Sequence, residues 1–321
     1  MNLEDIQGYF QEELGLLAVQ RRRILKNDIP GFDRGLSATL LSGGKSVRAL
    51  VLFIFSRRNG AVHHAAPFCA ACIELLHLAS LIQDDVIDKA DIRRNRPSVR
   101  SVLGDRFAVL TGDFLSIRVL QEVERHGCGA MLRAFLLHSA AMIEGEISQA
   151  LLGRDAVVSE EEYLRTIEKK TASLFRLSAG AGALLSGRST EAADEFGRRF
   201  GTAFQILDDL LDLTGDSDRT GKDAFADLKN GLCTLPVIHY LGRGGDGERL
   251  RSLASQGLLQ ETASLLHAAG SLEYAFNRAQ EEIRLAHVAA QRCLEGEDLS
   301  PLNVMGNELL AGIREGVLYG V

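Results

Sequence analysis

Apolar residues recur every three or four positions along most of the chain. From Pro67 to Ala90 the series Phe68, Cys72, Leu75, Ala79, Ile82 and Val86 keeps that rhythm and predicts one long helix. The stretches 105–125, 130–152, 159–186, 190–215 and 232–243 repeat it, rich in Ala, Leu and Glu, and predict further helices. No run of alternating β-branched residues predicts a strand. The breaks at Leu41–Gly44, Arg94–Ser98, Gly153–Val158, Gly187–Thr190, Gly215–Lys222 and Gly242–Gly247 are short and polar. None has the length or the Gly/Ser/Pro content of an interdomain linker. The pattern predicts an all-α chain folded as one domain over residues 1–321, with its motif-bearing core at about 41–240.

Composition narrows the function. The chain has 36 Lys and Arg against 43 Asp and Glu, a net charge of −7, so no basic footprint for nucleic acid exists. An anionic ligand must be met by local cations or by metal. No segment reads as apolar for the ~20 residues that span a bilayer, and the acidic start MNLEDIQGYF lacks a secretion pattern. Five scattered cysteines read as reduced thiols, which predicts a cytoplasmic protein. Cys69 and Cys72 have no second pair to complete a zinc site and are expected in the core.

One spacing occurs twice. Asp84-Asp85-Val86-Ile87-Asp88 and Asp208-Asp209-Leu210-Leu211-Asp212 both read D-D-x-x-D on predicted helices. Positions i and i+4 stack on one helix face with i+1 beside them, so each motif forms a compact carboxylate patch. Like charges at this spacing repel, and apolar neighbours such as Ile82 and Leu207 raise the cost of leaving them unpaired. A solvated acidic face would explain one such motif better than two. Carboxylate oxygens are hard donors, which disfavours zinc or iron, and no EF-hand spacing supports calcium. Magnesium is commonly held by one or two carboxylates together with water and substrate phosphates. Two such patches bridged through Mg2+ to a diphosphate would satisfy the charges.

Cations lie near both motifs. Arg93 and Arg94 follow the first, and Arg suits bidentate phosphate recognition. Lys45 and Arg48 follow a glycine turn at Gly43–Gly44 that leads into a helix, a weak anion signal by itself. Lys169, Lys170, Thr171 and Lys222 supply further donors.

Taken in order, these blocks resemble the trans-isoprenyl diphosphate (polyprenyl) synthases. The match runs from G-G-K-x-x-R at Gly43–Arg48 through E-x-x-H at Glu74–His77 and D-D-x-x-D into Arg93-Arg94. It continues with Leu110–Leu115, Lys170-Thr171-Ala172, Phe204–Asp209, Gly221-Lys222 and Thr234-Leu235-Pro236. The resemblance implies a helical bundle around a deep central cavity and head-to-tail condensation of an allylic diphosphate with isopentenyl diphosphate. It implies a set of three Mg2+ ions on Asp84, Asp85, Asp88, Asp208, Asp209 and Asp212. Arg93, Lys170 and Lys222 would stabilise the departing diphosphate, with Thr171 and Gln205 orienting it. Gly44, Lys45, Arg48, His77 and Arg94 would hold isopentenyl diphosphate. A homodimer, and contact with a membrane surface during product release, are the partners it suggests.

The chain departs from the family at several positions. Ser46 stands for the usual Arg, Ala49 for Pro, Gln83 for His and Asn95 for Gly, and Leu232 replaces a phosphate-side Lys. A terpene cyclase would carry a different second motif, squalene-type synthases place their acidic residues elsewhere, and a silent partner subunit should have lost one Asp triad. A short-chain synthase, or the catalytic subunit of a heteromer, remains an alternative. In short-chain members of the family that it resembles, a bulky aromatic four or five positions before D-D closes the cavity, and here those positions are the small Ser80 and Ala79. They predict a product longer than geranylgeranyl diphosphate, with a floor deeper along the stripe at Leu76 or on the helix of Phe135.

Overall fold

Helix Ala66–Ile87 begins after a cap at Ala65, with Pro67, its φ preset for a first turn, as the second helical residue. Its apolar spacing then buries Cys69, Cys72, Ile73, Leu75, Leu76, Ala79 and Ile82. The structure is a computed structural model that describes residues 2–29, 44–93, 96–152, 158–213, 228 and 231–319. Nearly every described element is helical, as the periodicity predicts. Helices Asp105–His126, Gly129–Leu152 and Thr190–Leu213 fall within a few residues of their expected bounds. The stretch at 159–186 is one helical rod interrupted by a π-helical turn at Glu168–Ala172.

Local chemistry sets several of these boundaries. Ser159 and Glu162 form a reciprocal capping box at the start of Glu160–Ile167. Gly187, at φ 69°, closes Ser173–Ser186 with a left-handed cap. Two features differ from the expectation. A two-residue hairpin pairs Ile92 with Pro97 and Arg93 with Arg96, too short to carry any alternation in the sequence. Helix Ala66–Ile87 does meet the length and hydropathy of a membrane span, but 61% of its most apolar window is buried inside the bundle. That burial marks it as a core helix.

The core has two clusters. One centres on helices Val47–Ser56, Ala66–Ile87 and Ser173–Ser186, with Phe53, Phe55, Phe175, Phe196 and Phe200 fully buried. The other gathers Ile206, Leu210, Leu235, Leu266, Leu272 and Ile283. Thr190–Leu213 runs through both: Ala192, Ala193, Phe196 and Phe200 pack in the first, and its last turns, through Ile206, Leu207, Leu210 and Leu213, in the second. Each fully buried Leu, Ile or Phe contributes about 1.5–3 kcal/mol, which fixes the direction in which those turns face. Cys69 and Cys72 are buried core residues as expected, and burial pushes the Cys69 thiol up to about 12.

Candidate active site

Both Asp motifs occupy the last turns of their helices, Ala66–Ile87 and Thr190–Leu213, with Asp88 as the cap residue of the first. That is the negative end of each helix dipole, where carboxylates are disfavoured and cations are favoured. The motifs therefore stand where they cost most without a cation.

Within each motif the three carboxylates divide the same way. Asp84 is half-buried and Asp88 exposed, while Asp85 is 3% exposed. Asp208 is exposed and Asp212 half-buried, while Asp209 is 4% exposed. The two withdrawn carboxylates are held by neighbours. Arg93 donates to Asp85 at 2.7 Å. Tyr163 and Gln205 each donate to Asp209 at 2.7 Å. All six carboxylates are expected metal ligands, and two of them, Asp85 and Asp209, also have protein partners.

Lys170 and Thr171 sit in the π-helical turn, a geometry frequent at functional sites. The Lys170 ammonium pairs with Glu146 at 2.6 Å and donates to Gln149 at 2.7 Å, both on Gly129–Leu152. Thr171 donates to Gln205 at 2.5 Å, beside the second motif. Two glycines let the neighbouring helices approach this turn. A Cβ on Gly145 would lie 2.7 Å from Lys170 Cα, and one on Gly201 2.7 Å from Ala172 Cβ.

Charge in the first motif is already unbalanced. Burial pushes the Asp84 carboxyl up to about 6; Lys170 opposes the rise, while Glu146 and Asp88 add to it. Burial works against the charge on Lys170, but Glu146 and Asp84 outweigh it and hold the ammonium above the ordinary lysine range. Among the described residues no three carboxylate, imidazole or thiol groups converge on one point for a metal ion. An ion here would be shared between open carboxylates, water and substrate oxygens, which suits magnesium. The hard carboxylate donors and the half-buried Asp84, whose charge burial disfavours, fit such an ion.

The remaining expected residues are placed as follows. Gly44 and Lys45 are exposed just before helix Val47–Ser56, whose cap Ser46 takes a left-handed φ of 50°. The Arg48 guanidinium lies 4.7 Å from the Phe175 ring centroid and 5.9 Å from that of Phe204. His77 is half-buried on the stripe that leads to Asp84. Arg94 and Lys222 lie outside the described residues. Ser80 is half-buried on the Asp84 stripe and bonds His77 O at 2.9 Å. Ala79 and Leu76 are each 1% exposed and Phe135 is fully buried. Ser80 is therefore the open one of the small pair.

Glu146, Gln149 and Tyr163 were not singled out in the sequence. Glu146 and Lys170 are far apart along the chain and meet only through packing, so no local spacing reveals them.

The polyprenyl synthetase family profile matches residues 32–268, which span both Asp motifs. The chain is 32% identical over 300 residues to octaprenyl diphosphate synthase of Escherichia coli K12, covering 91% of this chain and 93% of that protein. It is 36% identical over 259 residues to a short chain isoprenyl diphosphate synthase of Methanothermobacter thermautotrophicus, covering 77% and 80%. The crystal structure of a decaprenyl diphosphate synthase from Rhodobacter capsulatus superposes with a TM-score of 0.85 at 27% identity, covering 98% of this chain and 99% of that one. The chain belongs to the polyprenyl synthetase family, and it is a prenyltransferase.

Proposed function

We propose that the chain is a Mg2+-dependent trans-polyprenyl diphosphate synthase that extends an allylic diphosphate with isopentenyl diphosphate beyond geranylgeranyl length. One observation carries the reading: two Asp motifs end their helices at unfavourable dipole ends, with Lys170 and Thr171 between them. Mg2+ held by Asp84, Asp88, Asp208 and Asp212 would supply Lewis-acid stabilisation of a departing diphosphate. Lys170 and Arg93 meet the negative charge that grows on that group as the allylic C–O bond breaks. Lys45, Arg48 and His77 orient isopentenyl diphosphate so that its double bond attacks the allylic carbon. The new C–C bond uses that electron pair, and the proton lost afterwards goes to the released diphosphate. No side-chain nucleophile is needed.

The long-chain part of the reading draws on the open face at Ser80 and on the octaprenyl and decaprenyl relatives. Chromatography of dephosphorylated products tests it. Wild type should yield products longer than geranylgeraniol, and Ser80→Phe should shorten them. A wild type that stops at farnesol or geranylgeraniol favours the short-chain alternative. Ala79→Phe is the weaker test, because a ring at a position with 1% exposure overpacks the core.

Exposed apolar residues support an assembly of two chains. Leu137, Ile143, Ile147 and Leu151 on one helix, and Leu110 and Ile117 on its neighbour, are all more than half exposed. Contiguous exposed apolar surface of this kind marks interaction sites. The reading is a homodimer of single-domain, cytoplasmic chains joined along these two helices, and light scattering should give twice the 34.9 kDa chain mass.

A further inference from the structure

Asp209 is the most enclosed carboxylate of the second motif, yet it is not left bare. The Tyr163 hydroxyl donates to its Oδ2 at 2.7 Å, and the Gln205 amide donates to its Oδ1 at 2.7 Å. Gln205 in turn accepts from Thr171 at 2.5 Å. The chain Thr171–Gln205–Asp209–Tyr163 thus ties together the π-helical turn, the last turns of Thr190–Leu213 and the helix Glu160–Ile167. Tyr163 is itself 6% exposed, and the capping box at Ser159 fixes the helix one turn before it. Nothing about the sequence around Tyr163 marks it, and no step of the reaction uses it directly.

We infer that Tyr163 is a positioning residue that sets the orientation of the metal-binding carboxylates Asp208 and Asp212 by clamping Asp209. Successive helical residues are about 100° apart, and residues four apart stack. Fixing Asp209 through both carboxylate oxygens therefore fixes the rotation of the whole last turn. Asp208 and Asp212, four positions apart and so stacked on that helix, are then held in one fixed relation to each other. Asp85 has the same rank in the first motif and is clamped by Arg93, but a guanidinium can also reach substrate. Tyr163 supplies a neutral donor, so it holds Asp209 without competing for the charge that Asp208 and Asp212 offer a cation. A clamped carboxylate of this sort leaves less to be ordered when the ion and the diphosphate arrive.

The inference rests on the reading of the second motif as a metal site. The test is Tyr163→Phe, which removes one hydroxyl and keeps the ring in its place. Titration calorimetry with MgCl2 and inorganic diphosphate reads binding without turnover. Partners that orient metal ligands typically contribute 10–100-fold in metal affinity, so binding should weaken about tenfold. The Mg2+ concentration for half-maximal turnover should rise in parallel, while KM for isopentenyl diphosphate stays within twofold. Asp209→Asn gives the second arm: combined with Tyr163→Phe it should add little, because both act through one contact. Unchanged Mg2+–diphosphate binding with a lowered melting temperature would make Tyr163 merely structural and overturn the inference. Full additivity with Asp209→Asn would overturn it as well. A wild type that binds no Mg2+–diphosphate would sink the metal reading beneath it.

Discussion

Lys170 and Thr171 are neighbours in sequence, and the π-helical turn that contains them sends one to each Asp motif. The Lys170 ammonium interacts with Asp84 and Asp88 of the first, and Thr171 reaches Asp209 of the second through Gln205. A single turn thereby ties the two carboxylate patches to each other, and its placement governs both.

Glu146 holds Lys170 in that position. Glu146→Gln keeps the shape and removes the charge, leaving a mostly buried ammonium with a weaker partner. Hydrogen bonds to charged groups contribute about 1.5–3 kcal/mol, and roughly 1.4 kcal/mol is a tenfold rate change. Steady-state kinetics should show kcat/KM for the allylic diphosphate reduced by about tenfold or more. Unaltered kinetics would mean that Lys170 needs no such support.

Gly145 allows the turn to sit where it does. Gly145→Ala places a methyl against Lys170 Cα, and overpacking of this kind costs about 1–3 kcal/mol. Both melting temperature and kcat should fall. Gly180→Ala, a helical position with nothing within 4 Å of an added Cβ, serves as the control and should be neutral or slightly stabilising. Equal effects at the two positions would remove Gly145 from the account.

His138 predicts an acid sensitivity. Burial pushes its imidazole down to about 4, helped by Arg176 and opposed by Asp194. The unfolded chain takes up that proton near 6.5, so between about 6.5 and 4 the unfolded state binds more protons than the folded one. Stability is therefore full above 6.5 and is lost as pH falls through that window. Melting curves of wild type and His138→Gln should converge toward pH 4, because the variant lacks this term. A constant difference between them across the window would contradict it.

Glu297 offers a stability test away from the chemistry. Its carboxylate, 5% exposed, accepts from Asn59 and Gly60 backbone N–H groups and from Arg188 at 2.8 Å. These partners lie at the end of helix Val47–Ser56 and just before the start of Thr190–Leu213, opposite the ends that carry Arg48 and Asp208. Removing one partner of a buried pair costs on the order of 3 kcal/mol. Glu297→Ala should lower the denaturation midpoint by that measure while leaving kcat nearly unchanged at low temperature.

What the sequence revealed and what it hid differ in kind. The two carboxylate patches were legible as helix faces because the D-D-x-x-D spacing and the helical period coincide within one turn. Cys69 and Cys72 were legible as core for the same reason. The partners Tyr163, Glu146 and Gln149 were hidden, because their contacts join separate helices and depend on how closely Gly145 and Gly201 let those helices approach. The division within each motif was hidden too. Three carboxylates at the same spacing read alike until packing shows that Asp85 and Asp209 are enclosed and their companions only half-buried or exposed. The hairpin at Ile92–Pro97 was illegible because two residues per strand carry no period.

In the proposed function the carboxylates of the two motifs would hold Mg2+ that stabilises the departing diphosphate. Incorporation of labelled isopentenyl diphosphate by the purified chain, measured against Mg2+ concentration for wild type and Asp84→Ala, tests it most directly. Wild type alone should turn over, with activity abolished by chelation and restored by Mg2+. Asp84→Ala, folded by circular dichroism, should lose several orders of magnitude. Turnover that survives chelation, or an Asp84→Ala variant with near-normal turnover, would contradict it.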